Sequence, residues 1–171
     1  MIRDATLDDA AACAAIYEPY VHDTAITFET EPPSATEMGE RIASSLTDHA
    51  WLVLEDDGQV IGYAYAGQFH KRAAYRWACE VSVYLEQGAT GRGRGRALYT
   101  ALFDRLEARG FRTLVSLMTV PNDPSLRLHL AMGFEVVGTM TEIGYKLGGW
   151  HDVMWLQRRL PDVGDPPAEP H

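Results

Sequence analysis

The chain has 171 residues, of which 46% are hydrophobic and 23% charged, and its formal net charge is −9. That length suits one domain with a substantial core, and the apolar content excludes a disordered chain. The acidic balance argues against general affinity for nucleic acid or for an anionic membrane surface, and no apolar stretch is long enough to span a bilayer. The two cysteines, Cys13 and Cys79, match no metal-ligand spacing and are too few for a disulfide scaffold. With no secretory signal at Met1-Ile2-Arg3-Asp4, a reducing cytoplasm is the expected home.

Ile2 and Arg3 read as a short first strand. Thr6-Leu7-Asp8-Asp9 has the form of a capping box. It opens a helix with Ala10, Cys13, Ala14, Ile16 and Tyr17 as its apolar stripe, and Pro19 is expected to end it. A polar loop interrupted by Ile26-Thr27-Phe28 follows, and a second capping box, Ser34-Ala35-Thr36-Glu37, starts a helix through Met38 and Ile42. Trp51 to Leu54 and Val60 to Tyr65 read as strands, with Asp56-Asp57-Gly58 as the hairpin turn between them.

The strand from Glu80 to Leu85 alternates, with Val81, Val83 and Leu85 on one face and Glu80, Ser82 and Tyr84 on the other. After a glycine-rich turn, the helix from Arg96 shows Ala97, Leu98, Ala101, Leu102 and Leu106 at helical spacing, with Gly110 as its C-terminal cap. Thr113 to Met118 is another strand. Pro121-Asn122-Asp123-Pro124 is a loop, and Ser125 can cap a short helix to about Met132. Glu135 to Gly138 returns to strand, and Tyr145 to Leu147 and Val153 to Leu156 form a closing hairpin. From Pro161 the composition predicts a loose tail, which leaves a single domain over 1–160 and a tail over 161–171. This order of elements predicts an α+β architecture: a mixed, mostly antiparallel sheet flanked by helices, with one parallel crossover at the glycine turn.

Gly91-Arg92-Gly93-Arg94-Gly95 lies between strand and helix, where bare N–H groups and the helix dipole make a seat for phosphate. A P-loop would need Lys and a hydroxyl after the last glycine, but Arg96 and Ala97 stand there. A dinucleotide fingerprint would need glycine at position 96 and a place in the first βα unit, and it has neither.

Several ordered motifs agree on another identity. Thr27-Phe28-Glu29-Thr30-Glu31-Pro32-Pro33, Glu80-Val81-Ser82-Val83-Tyr84 and the Gly-x-Gly turn come first. Pro121-Asn122-Asp123-Pro124-Ser125, His129, Gly133-Phe134, Gly144-Tyr145-Lys146 and Trp150-His151-Asp152-Val153 follow. Together they resemble the Gcn5-related N-acetyltransferase (GNAT) superfamily, and within it the phosphinothricin N-acetyltransferase subfamily, over the chain up to Leu160. The turn departs from the family's usual opening, which has Gln or Arg two residues before Gly-x-Gly, whereas Thr90 and Gly91-Arg92 stand here. Arg92, Arg94 and Arg96 could compensate with positive charge. The wider family's tyrosine four residues before the Gly of Gly-Phe is replaced by His129, as in the subfamily.

The resemblance implies acetyl-CoA as co-substrate and no metal. Gly91, Arg92, Gly93, Arg94, Gly95 and Arg96 would hold its pyrophosphate. Val83, Tyr84 and Leu85 would pair through their backbone with its pantetheine arm, along a strand that splays from its neighbour, and Asn122 and Ser125 would bind the same arm. Glu80 is implied as general base, acting through water, because a desolvated carboxyl has a raised pKa suited to deprotonating an ammonium. His129 is implied near the thiol, where it could assist proton transfer. Phe28, Arg72 and Tyr75 would form the acceptor pocket, with Arg72 suited to a carboxylate or phosphinate. Trp150, His151 and Asp152 read as hairpin and interface structure, and a homodimer through the C-terminal strands is expected. The implied reaction is direct acetyl transfer to the primary amine of a small amino acid or analogue of the phosphinothricin or methionine sulfoximine type. The alternatives are another amine (a peptide N-terminus or a polyamine), a CoA-binding sensor without catalysis, and a non-enzymatic nucleotide-binding module. Glu80 argues against the sensor and the missing P-loop lysine against the nucleotide module.

Overall fold

A computed structural model describes residues 1–161, 164 and 168–171. The elements run β1 (Ile2–Asp4), α1 (Ala10–Asp23), α2 (Ala35–Asp48), β2 (Trp51–Asp56), β3 (Gln59–Gln68), β4 (Ala78–Leu85), α3 (Arg94–Ala108), β5 (Thr113–Val120), α4 (Asp123–Ala131), β6 (Glu135–Lys146) and β7 (Gly149–Arg159). The strands form one seven-stranded sheet in the order β1-β2-β3-β4-β5-β7-β6. Every pair is antiparallel except β4 with β5, the crossover through α3. This is the expected α+β fold.

Alternation along the strands gives the sheet two apolar faces. On one, α3 lays Leu98, Leu102 and Leu106 against Cys79, Val81, Leu114 and Leu156. On the other, α1 and α2 lay Cys13, Ile16, Tyr17, Met38 and Ile42 against Trp51, Val53 and Tyr63. An ion cluster fastens the first strands to the start of the helical layer. The Arg3 guanidinium bonds both Asp9 carboxylate oxygens at 2.8 Å and Glu55 at 3.0 Å. Asp9 also accepts from the Thr6 N–H at 2.8 Å, so this buried carboxylate is well paired.

The capping box at Ser34 forms as expected: the Ser34 N–H donates to the Glu37 carboxylate at 2.7 Å, and the Glu37 N–H donates to Ser34 Oγ at 3.2 Å. Asp57 (φ 49) and Gly58 (φ 78) make the predicted β2–β3 turn with two left-handed residues.

Four expectations are corrected. Pro19 lies inside α1, which continues to Asp23. The residues beyond it are worth more packed than the lost hydrogen bond costs, since Val21 is fully buried and Tyr20 bonds across to β4. Helix α3 begins at Arg94, not Arg96, because Gly93 supplies the left-handed cap. Asn122 rather than Ser125 caps α4, its side chain accepting from the Ser125 N–H at 3.3 Å. The predicted short strands near Gly138 and Tyr145 are parts of one twelve-residue β6, which absorbs two register shifts against β7.

Of the tail, 162, 163 and 165–167 lie outside the described residues. Near its end, Glu169 pairs with Arg76, the Trp77 indole N–H donates to the Ala168 carbonyl at 2.7 Å, and the His171 N–H donates to the Arg109 carbonyl at 3.2 Å.

Ser34→Ala removes the α2 cap and is expected to cost about 1 kcal/mol. Urea titration should show a lower midpoint with an unchanged slope. An unchanged midpoint would mean that the cap contributes nothing.

Candidate active site

Strands β4 and β5 run together for only three register partners: Ala78 with Thr113, Cys79 with Leu114 and Glu80 with Val115. Beyond Glu80 both strands continue, to Leu85 and to Val120, without pairing. A wedge-shaped cleft of about 50 Å³ opens between them. Val81, Ser82, Val83 and Tyr84 line one side, and Ser116 to Thr119 with Asn122 line the other.

The direction of the main chain in β4 follows from its other neighbour. The Glu86 N–H donates to the Ile61 carbonyl at 2.9 Å, which sets the hydrogen-bonded register with β3. Alternation then turns the main-chain groups of Tyr84, Ser82 and Glu80 toward β3. Those of Val83 and Leu85 face the cleft with the Val81 carbonyl, while the Val81 N–H belongs to the last paired position, Glu80 with Val115. The expected trio is refined accordingly: Val83 and Leu85 offer main-chain groups to the cleft, while Tyr84 borders it with its own main chain bonded to β3. The Leu85 carbonyl is already taken by the Tyr20 hydroxyl at 2.6 Å, so Leu85 offers its N–H alone.

The cleft leads to the glycine turn. Gly91 (φ 82), Arg92 (φ 52) and Gly93 (φ 73) are all left-handed, and glycine meets that demand without strain at 91 and 93. The Gly95 and Arg96 N–H groups sit in the first turn of α3, where no intrahelical acceptor exists. Gly95 is small for a different reason: a Cβ there would lie 3.3 Å from the Leu128 side chain of α4. Arg94 is committed to Asp56 at 2.8 Å and to the Ala89 carbonyl at 3.3 Å, so it braces the turn. Arg92 and Arg96 make no ion pair among the described residues. Unpaired strand amides running into a positively polarised helix start suit an extended, amide-bearing ligand ending in phosphate.

Glu80 occupies the last paired position before the strands part. Its side chain shares the face of Ser82 and Tyr84, away from α3. Its cross-strand partner Gly67 lines a groove of about 850 Å³, and its neighbour Val81 lines the cleft, so Glu80 stands where the two depressions meet. Among the described residues no cation pairs with it, and burial alone raises its carboxyl above the ordinary value of 4.5.

His129 is buried on α4 at the floor of the cleft. Its Nδ1–H donates to the Ser125 carbonyl at 2.8 Å, one turn back on the helix. That leaves Nε2 as acceptor, with the Ser116 hydroxyl at 2.9 Å and the Tyr99 hydroxyl at 3.1 Å. Burial lowers its pKa, and the Ser125 contact opposes this. Asn122 and Ser125 also line the cleft.

The expected acceptor residues do not share one wall. Arg72 and Tyr75 line the large groove, which runs beneath α2 past Tyr65 and Gly67. The Arg72 side chain has no carboxylate partner among the described residues. Phe28 lies instead on the loop after α1, over Gly144, while its neighbour Ile26 borders the cleft. Tyr65, Tyr99 and Ser116 were missed in the sequence. Each looks like an ordinary apolar-face or strand residue, and only the tertiary fold brings Tyr65 beside Glu80 and the two hydroxyls onto His129. Trp150 is exposed, His151 bonds the Lys146 carbonyl at 2.9 Å and Asp152 accepts from the Glu142 N–H at 2.8 Å, which is hairpin structure.

Residues 2–155 match the family model described as an acetyltransferase (GNAT) domain. A phosphinothricin N-acetyltransferase of Streptomyces viridochromogenes is 42% identical over 157 residues, which is 92% of this chain and 86% of that protein. An L-methionine sulfoximine/L-methionine sulfone acetyltransferase of Salmonella typhimurium is 33% identical over 94% of this chain and 96% of its own. The crystal structure of a GNAT superfamily phosphinothricin acetyltransferase from Sinorhizobium meliloti in complex with acetyl-CoA superposes with a TM-score of 0.92 at 38% identity, covering 100% of this chain and 92% of that one. The parted strands, the glycine turn at the start of α3 and these full-length similarities give one conclusion: the chain belongs to the GNAT acetyltransferase family.

Proposed function

We propose that the protein transfers acetyl from acetyl-CoA to the primary amine of a small amino acid or analogue of the phosphinothricin or methionine sulfoximine type. The observation that carries this reading is Glu80, an unpaired, partly buried carboxyl at the junction of the cleft between the parted strands and a groove holding an arginine with no carboxylate partner among the described residues. The relatives' acceptors are amino-acid-like, and Arg72 is the side chain suited to a carboxylate or phosphinate.

Acetyl-CoA would supply the activated thioester. The N–H groups of Gly95 and Arg96, with Arg92 and Arg96 nearby, are the donors for its pyrophosphate. Gly91 and Gly93 hold the turn in its left-handed path, and Arg94 braces it. The Val81 carbonyl, the Val83 and Leu85 main chain and the Asn122 amide are the groups available to its arm, and an N–H of Val83 or Leu85 is the donor for developing negative charge on the carbonyl oxygen. Glu80 takes a proton from the acceptor ammonium through water. His129, with Ser125 fixing its Nδ1–H, holds the Tyr99 and Ser116 hydroxyls at the cleft floor, where a proton for the departing sulfur is needed.

The protein is proposed to act as a homodimer in the cytoplasm. Strand β6 ends the sheet, and Val136, Val137 and Ile143 on it are exposed. A long apolar edge calls for cover, and a second copy brings the same apolar surface to it. Cys13 and Cys79 are both free and lie on opposite faces of the sheet, in keeping with a reducing compartment.

Glu80→Gln should lower kcat by about 10²-fold or more. In the wild type, kcat/KM should fall as pH drops through the raised Glu80 value, so its acid limb lies above 4.5. A carboxyl whose folded pKa is raised contributes most below that value and destabilises above it, so the same variant should melt higher at neutral pH. Unchanged turnover would remove Glu80 as base.

A screen of primary amines with thiol release as readout should find phosphinothricin-like amino acids best, and Arg72→Ala should raise their KM with the acetyl-CoA KM unchanged. A better turnover with peptide N-termini or polyamines would replace the proposed acceptor.

Sedimentation should give twice the 19.0 kDa chain mass, and Val137→Glu should give the monomer. A monomeric wild type would overturn the dimer.

A further inference from the structure

The segment Gly144-Tyr145-Lys146 at the end of β6 has no part in the mechanism, yet it holds the loop after α1 in two ways. The first is steric. The Phe28 ring lies so close over Gly144 that a Cβ added there would be 2.2 Å from Phe28 Cε2 and 2.4 Å from Cζ. No side chain fits between them without moving the ring. Gly144 has no left-handed φ to explain its choice, so close approach is the reason for glycine here.

The second is electrostatic. Lys146 is only 6% exposed, and its ammonium donates to the Thr27 carbonyl at 2.8 Å. Among the described residues it forms no ion pair. Burial lowers its pKa, and the more distant Glu29 carboxylate opposes that. Burying a cation against one carbonyl is an expensive way to gain stability. It is a specific way to fix where that carbonyl sits.

The same residue is also held from the α1 side. Thr27 Oγ1 lies 2.5 Å from the Tyr17 hydroxyl, which also donates to Glu29 at 3.0 Å. Glu29 in turn accepts both nitrogens of Arg41, at 2.7 and 2.9 Å. Ile26, the residue just before these anchors, forms part of the cleft wall.

We propose that Gly144 and Lys146 are positioning residues that set acceptor specificity, by fixing the Ile26–Glu29 loop, whose Ile26 borders the cleft, so that only amines of amino-acid size reach the acetyl group. The inference rests on the acceptor reading above. It adds that the limit on acceptor size is set from β6, beneath the loop, rather than by the loop's own sequence.

The test compares steady-state kinetics of the wild type, Gly144→Ala, Lys146→Met, Phe28→Ala and the Gly144→Ala/Phe28→Ala double variant. Each is assayed with a phosphinothricin-type amino acid and with the same amino acid extended as a dipeptide, and melting temperature serves as the control for folding. Gly144→Ala and Lys146→Met should each raise the small acceptor's KM at least tenfold, change the acetyl-CoA KM less than twofold, and shift preference toward the dipeptide. In the Phe28→Ala background, Gly144→Ala should add less than twofold, because the ring it displaces is gone. If Gly144→Ala does not fold, Lys146→Met alone decides by the same KM split. An acceptor KM changed less than twofold, or both KM values raised equally, overturns the inference while leaving the acetyltransferase reading intact. A wild type that acetylates no amino-acid-type amine overturns that reading, and this inference falls with it.

Discussion

The structure turns on the parting of β4 from β5 after Glu80. In a closed sheet the main-chain groups of Val83 and Leu85 would be spent on the neighbouring strand. Here the two strands pair over three residues and then separate, which turns the main-chain groups beyond Glu80 toward the cleft rather than toward a partner strand. Unsatisfied main-chain groups at the centre of a sheet are costly, so the gap persists only because the elements around it hold it open. Helix α3 starts from the far end of β4, α4 closes the end of β5, and the two meet where Gly95 allows Leu128 to approach. The Tyr20 hydroxyl fixes Leu85 from the α1 side.

The chemistry divides across the sheet. Glu80 projects to the face of α1 and α2, toward the groove with Arg72. His129, Tyr99 and Ser116 gather on the face of α3 and α4, beneath the cleft. A donor threaded between the strands would thus meet a carboxyl on one side and a hydroxyl-bearing network on the other. Both groups carry shifts that burial imposes, Glu80 upward and His129 downward. The stability given up here is offset elsewhere, in the two apolar layers and in the Arg3–Asp9–Glu55 cluster, where the buried Asp9 carboxylate is fully paired.

Much of this was legible in the chain. The glycine turn, the alternation from Glu80 to Leu85 and both capping boxes depend on local rules, and the structure realises them. Pro19 and the length of β6 were misread because tertiary contacts overrode local signals. Packing of Tyr20 and Val21 carries α1 past the proline, and pairing with β7 carries β6 through Gly138 and Gly144. Which amides of β4 face the cleft depends on the β3 register, which no single strand reveals. The same holds for the Ser116–His129–Tyr99 contacts and for Phe28 on Gly144, each of which joins residues far apart in sequence.

The central claim is that main-chain donors left free by the parted strands and the α3 start bind the donor. Backbone amide NMR during titration with acetyl-CoA tests it most directly. The account predicts the largest shifts at Val83, Leu85, Gly95 and Arg96, with Ser82 and Tyr84, whose amides are bonded to β3, changing least within β4. Shifts concentrated in the groove beneath α2, or spread evenly along β4, would contradict it.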